Sequence, residues 1–518
     1  MIARIGSVFL MGLALVLASS PVRAEWHEAS SEHFVIYANE SEDEVRLYAE
    51  NLERYHSAME EFTGRDLATP SPSNRVKVFA VGSSSDIRKL AGSSGVEGFY
   101  LPRAQGSVAF VQQIENKVGH PDLSTVVLLH EYAHHFLSST DRFAMPLWMN
   151  EGAAEFFSSA YFHEDGSVFL GLPSSRRDFT IFWKETEMTA VRELLDMDWP
   201  RLSGRVDKSK ASFYGRSWLL YHYLSTSEER SGQLRAYWLE VLKGKSSLDA
   251  AQSVFGDLGV LERQLNKHFR NRERKSHRVL PEDIDISPIT VRRLDDGEVA
   301  MKDVRIQLER GVNLPQAQKL VRKARSIAAQ YPDNARVLTT LARSEYSAEK
   351  DSLAIAAADR ALANGEPPRD AYVYAGLARF RQARGLSNPT QRDGAYQNAM
   401  EPLTSLQALE DDHIVPLVYA YRAYAERGVA PSNEAKEAFF RAARLAPFDQ
   451  ELWLLTGMIH INDGRIADAR AALQPLASNP HGGSKAEQVR NLLAFLSDKP
   501  EGQPIELQQA ISGYFLSE

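Results

Sequence analysis

From about residue 314 to 496 the chain repeats a pattern of paired, Ala- and Leu-rich helical segments separated by proline-containing turns. The turn sequences recur at Pro332, Pro368, Pro447 and Pro480, and two of the steps between them are 36 and 33 residues. One helix pair cannot bury its apolar face alone, so successive pairs must stack on their neighbours. We therefore expect an all-α solenoid of three or four irregular repeats here. An irregular helical bundle is the alternative for the same residues.

This period resembles that of tetratricopeptide repeats, which are helix–turn–helix units of about 34 residues. The most similar stretch is Glu451–Ile459 followed by Ala467–Leu473, with small residues where two helices must approach closely. The resemblance implies a concave surface along which a protein partner binds.

Composition limits the functions available to the whole chain of 518 residues, a length that predicts two to four domains at roughly 150 residues each. The 60 Lys and Arg residues against 68 Asp and Glu give a net charge of −8, which disfavours nucleic-acid binding. The chain has no Cys. Disulfides, thiolate zinc sites, iron–sulfur clusters and cysteine nucleophiles are therefore excluded, and any metal must be held by His and carboxylates.

Residues 1–24 have the pattern of a signal peptide. Arg4 gives a positive start, Val8–Ala18 is apolar, and Val22–Ala24 is a small-x-small cleavage site. The alternative is an uncleaved anchor helix, although the apolar run is shorter than the roughly 20 residues of a membrane span. We expect a chain that starts at Glu25, is exported to the periplasm or cell envelope, and has no membrane span after cleavage.

Residues 25–118 alternate between strand and helix patterns, which predicts an α+β fold. Ser41 and Glu44 form a capping-box sequence that starts a helix with one apolar face. Strands are expected at His33–Tyr37, Arg75–Phe79 and Gly106–Val111.

The rest of the first half divides into a helical part and a connecting part. Residues 119–275 are predicted to be mostly helical. In residues 276–313 the segments Ile289–Leu294 and Val299–Ile306 flank the turn sequence Asp-Asp-Gly-Glu, which predicts a linker with a small hairpin. Residues 497–518 are expected to form a C-terminal tail.

The segment with the most specific chemistry is Thr125–Leu137, an apolar helical sequence that contains His-Glu-Tyr-Ala-His. His130 and His134 are four residues apart, so both project from one helix face and can bind one ion. HExxH on a helix is the arrangement of zinc hydrolases, in which Glu131 acts as the general base. The alternative is a pair of core or solvated histidines.

A third ligand is expected from the segment Pro146–Phe157, where the proline can start a second helix. Glu151 and Glu155 share one face of that helix. A catalytic zinc site takes three protein ligands and leaves one position open, so one of these carboxylates can complete it. The other, one turn later, is placed to accept the outer N–H of a histidine ligand.

The two motifs together resemble those of gluzincin metallopeptidases, the group of thermolysin and the zinc aminopeptidases, and most closely the peptidase-MA-like proteins of bacteria. The resemblance extends loosely over residues 25–274 and implies a thermolysin-like zincin domain. It implies the following roles: Zn²⁺ bound by His130, His134 and Glu151, Glu131 as general base, and Glu155 behind a histidine ligand.

In gluzincins a Tyr or His downstream of the glutamate helix completes the site, and by this resemblance Tyr214 is the candidate. Core packing of an aromatic side chain is the alternative. Tyr221, His222 and Tyr223 are interpreted as core or surface residues. His135 is expected to pack or to support a ligand, because it projects about 100° away from His134 on the helix.

Two further segments have open interpretations. Gly106–Val111 would be the sheet edge on which an extended substrate pairs in a gluzincin-like cleft, or an ordinary strand. The basic run Lys267–Arg278 could contact an anionic polymer or lipid headgroups. A solvated helix end with cations near its C-terminus is the favoured interpretation.

The sequence therefore predicts an exported zinc-dependent metallopeptidase that hydrolyses a protein or peptide substrate, with the repeats recruiting a partner or the substrate. No anchor for a free substrate amine is recognisable, which favours endopeptidase action. The alternative function is a non-catalytic envelope adaptor, in which the repeats bind protein partners and the peptidase-like domain is vestigial. Both motifs are complete, which favours the enzyme.

Overall fold

The computed structural model describes residues 25–114, 118–140, 145–173, 188–205, 207–271, 275–477, 483–506 and 508–510. The expected signal peptide, residues 1–24, lies outside them. Among these described residues, no helix is both long enough and apolar enough to cross a membrane.

The described chain has an α+β first part and a helical second part. The strands are β1 His27–Ser30, β2 Phe34–Ala38, β3 Val76–Ala80, β4 Phe99–Leu101, β5 Val108–Val111, β6 Tyr161–Phe162, β7 Val168–Leu170, β8 His277–Val279 and β9 Thr290–Arg293. Six of them form one sheet in the order β4-β5-β3-β2-β1-β9, with β2, β3 and β5 parallel and the outer pairings antiparallel. The others form a small antiparallel sheet in the order β6-β7-β8.

The helices of the first part lie between and after these strands. They are α1 Glu42–Thr63, α2 Ser84–Ala91, α3 Leu123–Thr140, α4 Leu147–Ser158, α5 Val191–Leu195, α6 Trp199–Ser203, α7 Asp207–Thr226, α8 Gln233–Leu242, α9 Ser247–Phe255 and α10 Leu258–Arg270. Short 3₁₀ turns lie at Glu228–Arg230 and Pro281–Asp283.

The second part consists of helices that pack on their sequence neighbours. They are α11 Asp296–Arg310, α12 Leu314–Ala328, α13 Ala335–Ser347, α14 Asp351–Leu362, α15 Arg369–Arg384, α16 Pro389–Leu409, α17 Ile414–Arg427, α18 Asn433–Leu445, α19 Gln450–Asn462, α20 Ile466–Ala477 and α21 Gly483–Phe495. The expected helical stack is thus present.

Close helix approach in the stack depends on glycine at two equivalent places. A Cβ built on Gly376 of α15 would lie 2.6 Å from the Leu403 side chain of α16. A Cβ on Gly457 of α19 would lie at the same distance from Leu473 of α20. A side chain at either position would force the helix pair apart. The small residues noted in the sequence around Gly457 therefore serve close packing.

Helix α1 starts at the capping box predicted from the sequence. The Ser41 side chain accepts from the backbone N–H of Glu44, and the Glu44 carboxylate accepts from the backbone N–H of Ser41. The apolar face of α1 is buried between the sheet and α3, in a core that also contains α4 and α7. Alternate residues of β2 face this core, and the residues between them face the other side of the sheet.

The expected hairpin within residues 276–313 is wrong. Strand β9 does not fold back on the following segment but pairs with β1 at the edge of the large sheet. Asp295 and Glu298 form a second capping box, so the Asp-Asp-Gly-Glu sequence starts α11 instead of a turn. The segment is also not a free linker, because β8 adds to the small sheet.

Part of the expected C-terminal tail also has a defined place. The backbone N–H of Gly502 donates to the carbonyl of Gly464 at 2.9 Å, and that of Ile505 donates to Ile461 at 3.2 Å. Ile505 is buried against the last helices. The segment after α21 therefore closes the end of the stack.

The helical stack contacts the first part of the chain at several points. The Glu410 carboxylate accepts hydrogen bonds from the backbone N–H and the hydroxyl of Ser73, each at 3.0 Å. Next to α18, the ring of Phe448 lies 4.7 Å from the ring of His135 on α3. The stack therefore packs directly against the helix that carries the HExxH sequence.

Candidate metal centre

Helix α3 is held against α1 by polar contacts inside an apolar core. The Tyr55 hydroxyl donates to the carbonyl oxygen of Leu129 at 3.0 Å, one residue before the first histidine of the motif. Nδ1 of His56 lies 2.7 Å from the hydroxyl of Tyr132. Because the hydroxyls and rings are buried, these contacts fix the position of α3 along its axis and its rotation about that axis.

Helix α4 begins after Pro146, which is its N-cap residue and not its first helical residue. It packs on α3 and on α7. A Cβ on Gly152 would lie 2.5 Å from the carbonyl oxygen of Ser217 and 3.1 Å from Cβ of Tyr221. The backbones of α4 and α7 thus touch at Gly152, the residue directly after Glu151.

Three side chains from these two helices meet at one point. Nε2 of His130 and Nε2 of His134 are 3.2 Å apart. Oε2 of Glu151 lies 3.4 Å from the first nitrogen and 3.5 Å from the second. His130 and Glu151 expose only 9% and 3% of their surface. Among the described residues, these three form the one group of His and carboxylate side chains placed to hold a metal ion.

The outer nitrogens of both rings face side-chain oxygens of α4. Nδ1 of His134 lies 3.1 Å from Oδ1 of Asn150, and Nδ1 of His130 lies 3.5 Å from Oε1 of Glu155. A proton held on each outer nitrogen leaves the lone pair of each Nε2 directed to the shared point. The sequence pointed to Glu155 but gave Asn150 no role, although it stands directly before Glu151.

The electrostatics of the cluster centre on the Glu151 carboxylate. Burial by itself lowers the pKa of His134, but the charge of Glu151 and its hydrogen bond outweigh burial and raise this pKa to about 9. A positive charge is therefore favoured at this point of the protein. Without a metal that charge is a proton on His134, which a bound cation would replace, because a histidine ligand must be neutral.

The remaining candidates lie on α3 and α7. Glu131 follows His130 on α3 and is partly exposed. Tyr214 on α7 is also partly exposed, one turn before Ser217, on the stripe of α7 that faces α4. Tyr100 of β4 was not singled out from the sequence. Burial of its hydroxyl raises the pKa of Tyr100, and the charge of the nearby Glu131 carboxylate raises it further.

The aromatic residues interpreted as packing groups do pack. His135 stacks on Tyr132 with ring centroids 5.7 Å apart, and burial lowers its pKa to about 4. Tyr221, His222 and Tyr223 are all buried. None of them belongs to the metal-binding group.

The sheet edge near α3 differs from the expected one. Gly106–Val111 contains β5, which pairs with β3 on one side and β4 on the other, so it has no open edge. Strand β4 is the edge strand, and it packs on α3. The short β4 sequence Phe99–Leu101 has weak strand periodicity, which explains why the sequence did not reveal it.

The basic run Lys267–Arg278 begins on α10, which ends at Arg270 with Lys267 and His268 in its last turn. Lys275 forms an exposed ion pair with Glu228 at 2.9 Å. The described residues of the run thus agree with a helix end that carries cations near its C-terminus.

A cluster of two imidazoles and one carboxylate, with the Glu131 carboxylate close enough to act on His134, can bind a divalent cation and move a proton. Comparison of the chain with protein-family models finds no match, and comparison with curated proteins finds none either.

Proposed function

We propose that this protein is an exported zinc-dependent metallopeptidase with a thermolysin-like zincin domain and a tetratricopeptide-like helical stack. The observation that carries the proposal is the triangle of His130 Nε2, His134 Nε2 and Glu151 Oε2, with sides of 3.2, 3.4 and 3.5 Å. Tetrahedral zinc with bonds of about 2.0–2.1 Å separates neighbouring ligand atoms by about 3.3–3.4 Å. The donor set therefore fits zinc in both chemistry and spacing.

Zinc supplies Lewis acidity, which polarises a substrate carbonyl and lowers the pKa of water at the site. The residues of the chain supply the proton transfers. Glu131 takes the proton of the attacking water and passes it to the leaving amine. Tyr214 donates a hydrogen bond to the carbonyl oxygen as negative charge develops there. Asn150 and Glu155 hold the histidine rings in the required orientation.

The substrate in this proposal is a protein or peptide, cleaved at an internal bond. The edge strand β4 lies on α3 and offers backbone groups with which an extended peptide can pair. Contact between Phe448 and His135 brings the helical stack to the same helix. This contact supports a role of the stack in presenting a substrate or a partner to the site on α3.

The first test is the metal content of the purified chain from Glu25 to Glu518. About one zinc per chain is expected in the wild type, and none in His134→Ala. His163→Ala removes an exposed histidine outside the cluster and should keep the metal. Absence of bound metal in the wild type, after zinc is supplied, would overturn the zinc proposal.

The second test separates an enzyme from an adaptor. Digestion of casein or a peptide library by the wild type should stop on addition of a chelator. Glu131→Gln should bind as much zinc as the wild type and leave the substrate intact, because only the proton acceptor is lost. Hydrolysis by Glu131→Gln at the wild-type rate would contradict the proposed base. Stable partners without any cleavage products would favour the adaptor.

A further inference from the structure

A small cleft that opens to solvent lies between the large sheet and the first helices of the stack. It is on the face of the sheet opposite to α1 and α3, so it is separate from the metal-binding cluster. The sheet side is aromatic and is formed by Trp26, Tyr37 and Phe79. Grooves at the junction of two parts of a chain are common places for ligands.

The helical side of the cleft carries a guanidinium with few partners. Arg305 of α11 lies with its guanidinium carbon 4.1 Å from the ring centre of Tyr37, and its Nη2 donates to the Tyr37 hydroxyl at 2.8 Å. Within the described part of the chain, no carboxylate oxygen lies within 4.0 Å of Arg305, and Tyr37 is its only hydrogen-bond partner. Arginine has five N–H donors, so most of them remain available.

The charged side chains that line the cleft favour the binding of an anion. Lys302 and Arg336 also line the cleft, together with the carboxylates of Glu298 and Asp370. Among the lining residues, three cations including Arg305 stand against two carboxylates. Lys302 pairs with Asp303 at 2.7 Å and Arg336 lies 3.5 Å from Glu298, whereas the carboxylates of Glu309 and Glu28 act on Arg305 only from beyond 4.0 Å. Among these described residues, Arg305 is therefore the cation of the cleft without a paired carboxylate, an excess of one positive charge. Glu298 is already engaged by Arg292, which donates to it at 2.7 and 2.8 Å.

The net charge and the shape of the donor indicate which anion fits. A planar carboxylate matches the fork of an arginine and carries one negative charge, which balances the single excess positive charge. A phosphate group carries nearly two negative charges, more than this excess balances. Trp26, Tyr37 and Phe79 expose 7%, 6% and 2% of their surface, and this small exposed part is what an apolar group attached to the anion would contact.

We propose that this cleft binds the carboxylate of an apolar or aromatic acid, with Arg305 pairing to the carboxylate and the rings of Trp26, Tyr37 and Phe79 covering the apolar group. The acid is either a small free molecule or the last residue of a peptide, because both present the same chemistry. This site is independent of the proposed peptidase activity.

Occupancy of the cleft has a structural consequence. Trp26, Tyr37 and Phe79 belong to the first part of the chain, whereas Arg305 and Arg336 belong to helices of the stack. A ligand that touches both sides stabilises their contact, and it raises the stability of the folded chain according to its concentration and affinity.

Binding is tested by calorimetry on the purified chain, with phenylacetate and its neutral analogue phenylacetamide as probes. Phenylacetate is expected to bind at least about tenfold more tightly, because only the acid pairs with the guanidinium. Equal affinity for both probes would overturn the proposal. Phenyl phosphate binding more tightly than phenylacetate would overturn the choice of a carboxylate.

Variants locate the binding in the cleft. Arg305→Gln should weaken phenylacetate binding by about tenfold or more, and Arg305→Lys should weaken it less, because charge remains but the fork is lost. Thr340→Trp puts a large side chain on α13 into the lining of the cleft, and it should block the cleft and leave Arg305 unchanged. Arg444→Gln changes an exposed arginine elsewhere in the stack and should bind as the wild type does. Wild-type binding by both Arg305→Gln and Thr340→Trp would contradict the proposed site.

Peptide probes separate the two sources of the acid. N-acetylglycylphenylalanine binding more tightly than phenylacetate, with loss of binding on C-terminal amidation, assigns the cleft to peptide ends. Tighter binding of phenylacetate assigns it to a small free acid. Binding of neither acid would overturn the proposal.

Discussion

The side-chain oxygen of Asn150 lies 3.1 Å from Nδ1 of His134, and this contact directs Nε2 of the same ring to His130 and Glu151. Asn150 is thereby a positioning residue that belongs to α4, while the ring it orients belongs to α3. The geometry of the candidate metal site thus depends on the packing of two helices and not on the HExxH sequence alone.

Asn150→Ala is expected to lower zinc affinity by about tenfold to a hundredfold, because the His134 ring loses the acceptor that sets its tautomer and orientation. Competition against a chromophoric chelator measures this affinity directly. Asn398→Ala, at an exposed site on α16, serves as the matched control and should bind zinc as the wild type does. Unchanged affinity in Asn150→Ala would show that the contact does not orient the ring.

Gly152→Ala is expected to destabilise the protein by about 1–3 kcal/mol, because its Cβ would overlap the Ser217 carbonyl and push α4 from α7. Zinc affinity should fall in the same variant, since Glu151 moves with α4. Urea denaturation and chelator competition measure the two effects.

The matched control for this substitution is Gly394→Ala in α16, where a Cβ meets nothing within 4 Å. Alanine there should raise stability by about 0.5–1 kcal/mol, because glycine is a poor helix former. If Gly152→Ala were as stable as the wild type, the close approach of α4 and α7 would be disproved.

Features set by neighbouring residues could be predicted from the sequence. The capping box at Ser41 and Glu44 and the helix that carries His130 and His134 depend on contacts three or four residues apart. The helical stack also follows from local periodicity. In each case the residues that determine the feature lie within a few positions of one another in the sequence.

Features that depend on residues far apart in the sequence could not be predicted from it. The residue types of Asp295 and Glu298 suit a hairpin turn as well as a capping box. Only the pairing of β9 with β1 excludes the hairpin. The edge position of β4 likewise depends on strands far along the chain. Arg305 stands in an ordinary amphipathic helix sequence, and its place against Tyr37 follows from the docking of the stack.

Glu309→Gln is expected to destabilise the protein by about 3 kcal/mol or more, because it removes the charge that compensates a largely buried arginine. Glu309 is 3% exposed and accepts from Nη1 of Arg343 at 2.6 Å, with Arg103 of the first part of the chain at 3.7 Å. Thermal and urea unfolding measure the loss. Glu487→Gln, at an exposed site on α21, should have little effect. Equal stability of the two variants would contradict a structural role for Glu309.

Glu40 gives a prediction about pH, because burial raises its pKa from 4.5 to about 7 and the nearby Glu44 adds to the rise. Its Oε2 atom is buried without a hydrogen-bond partner among the described residues. In the unfolded chain Glu40 loses its proton near pH 4.5, whereas in the folded chain it keeps the proton until about pH 7. The folded state therefore loses stability as pH rises through this window.

Glu40→Gln removes that titration, so its melting temperature relative to the wild type should be higher at pH 8 than at pH 5. Glu366→Gln, an exposed glutamate in the loop before α15, should show the same difference from the wild type at both pH values. Calorimetry at the two pH values measures both variants. Only a shifted pKa couples this carboxyl to the unfolding equilibrium between pH 4.5 and 7. If the difference in melting temperature between Glu40→Gln and the wild type did not change with pH, Glu40 would be ionised in the folded protein over this whole range.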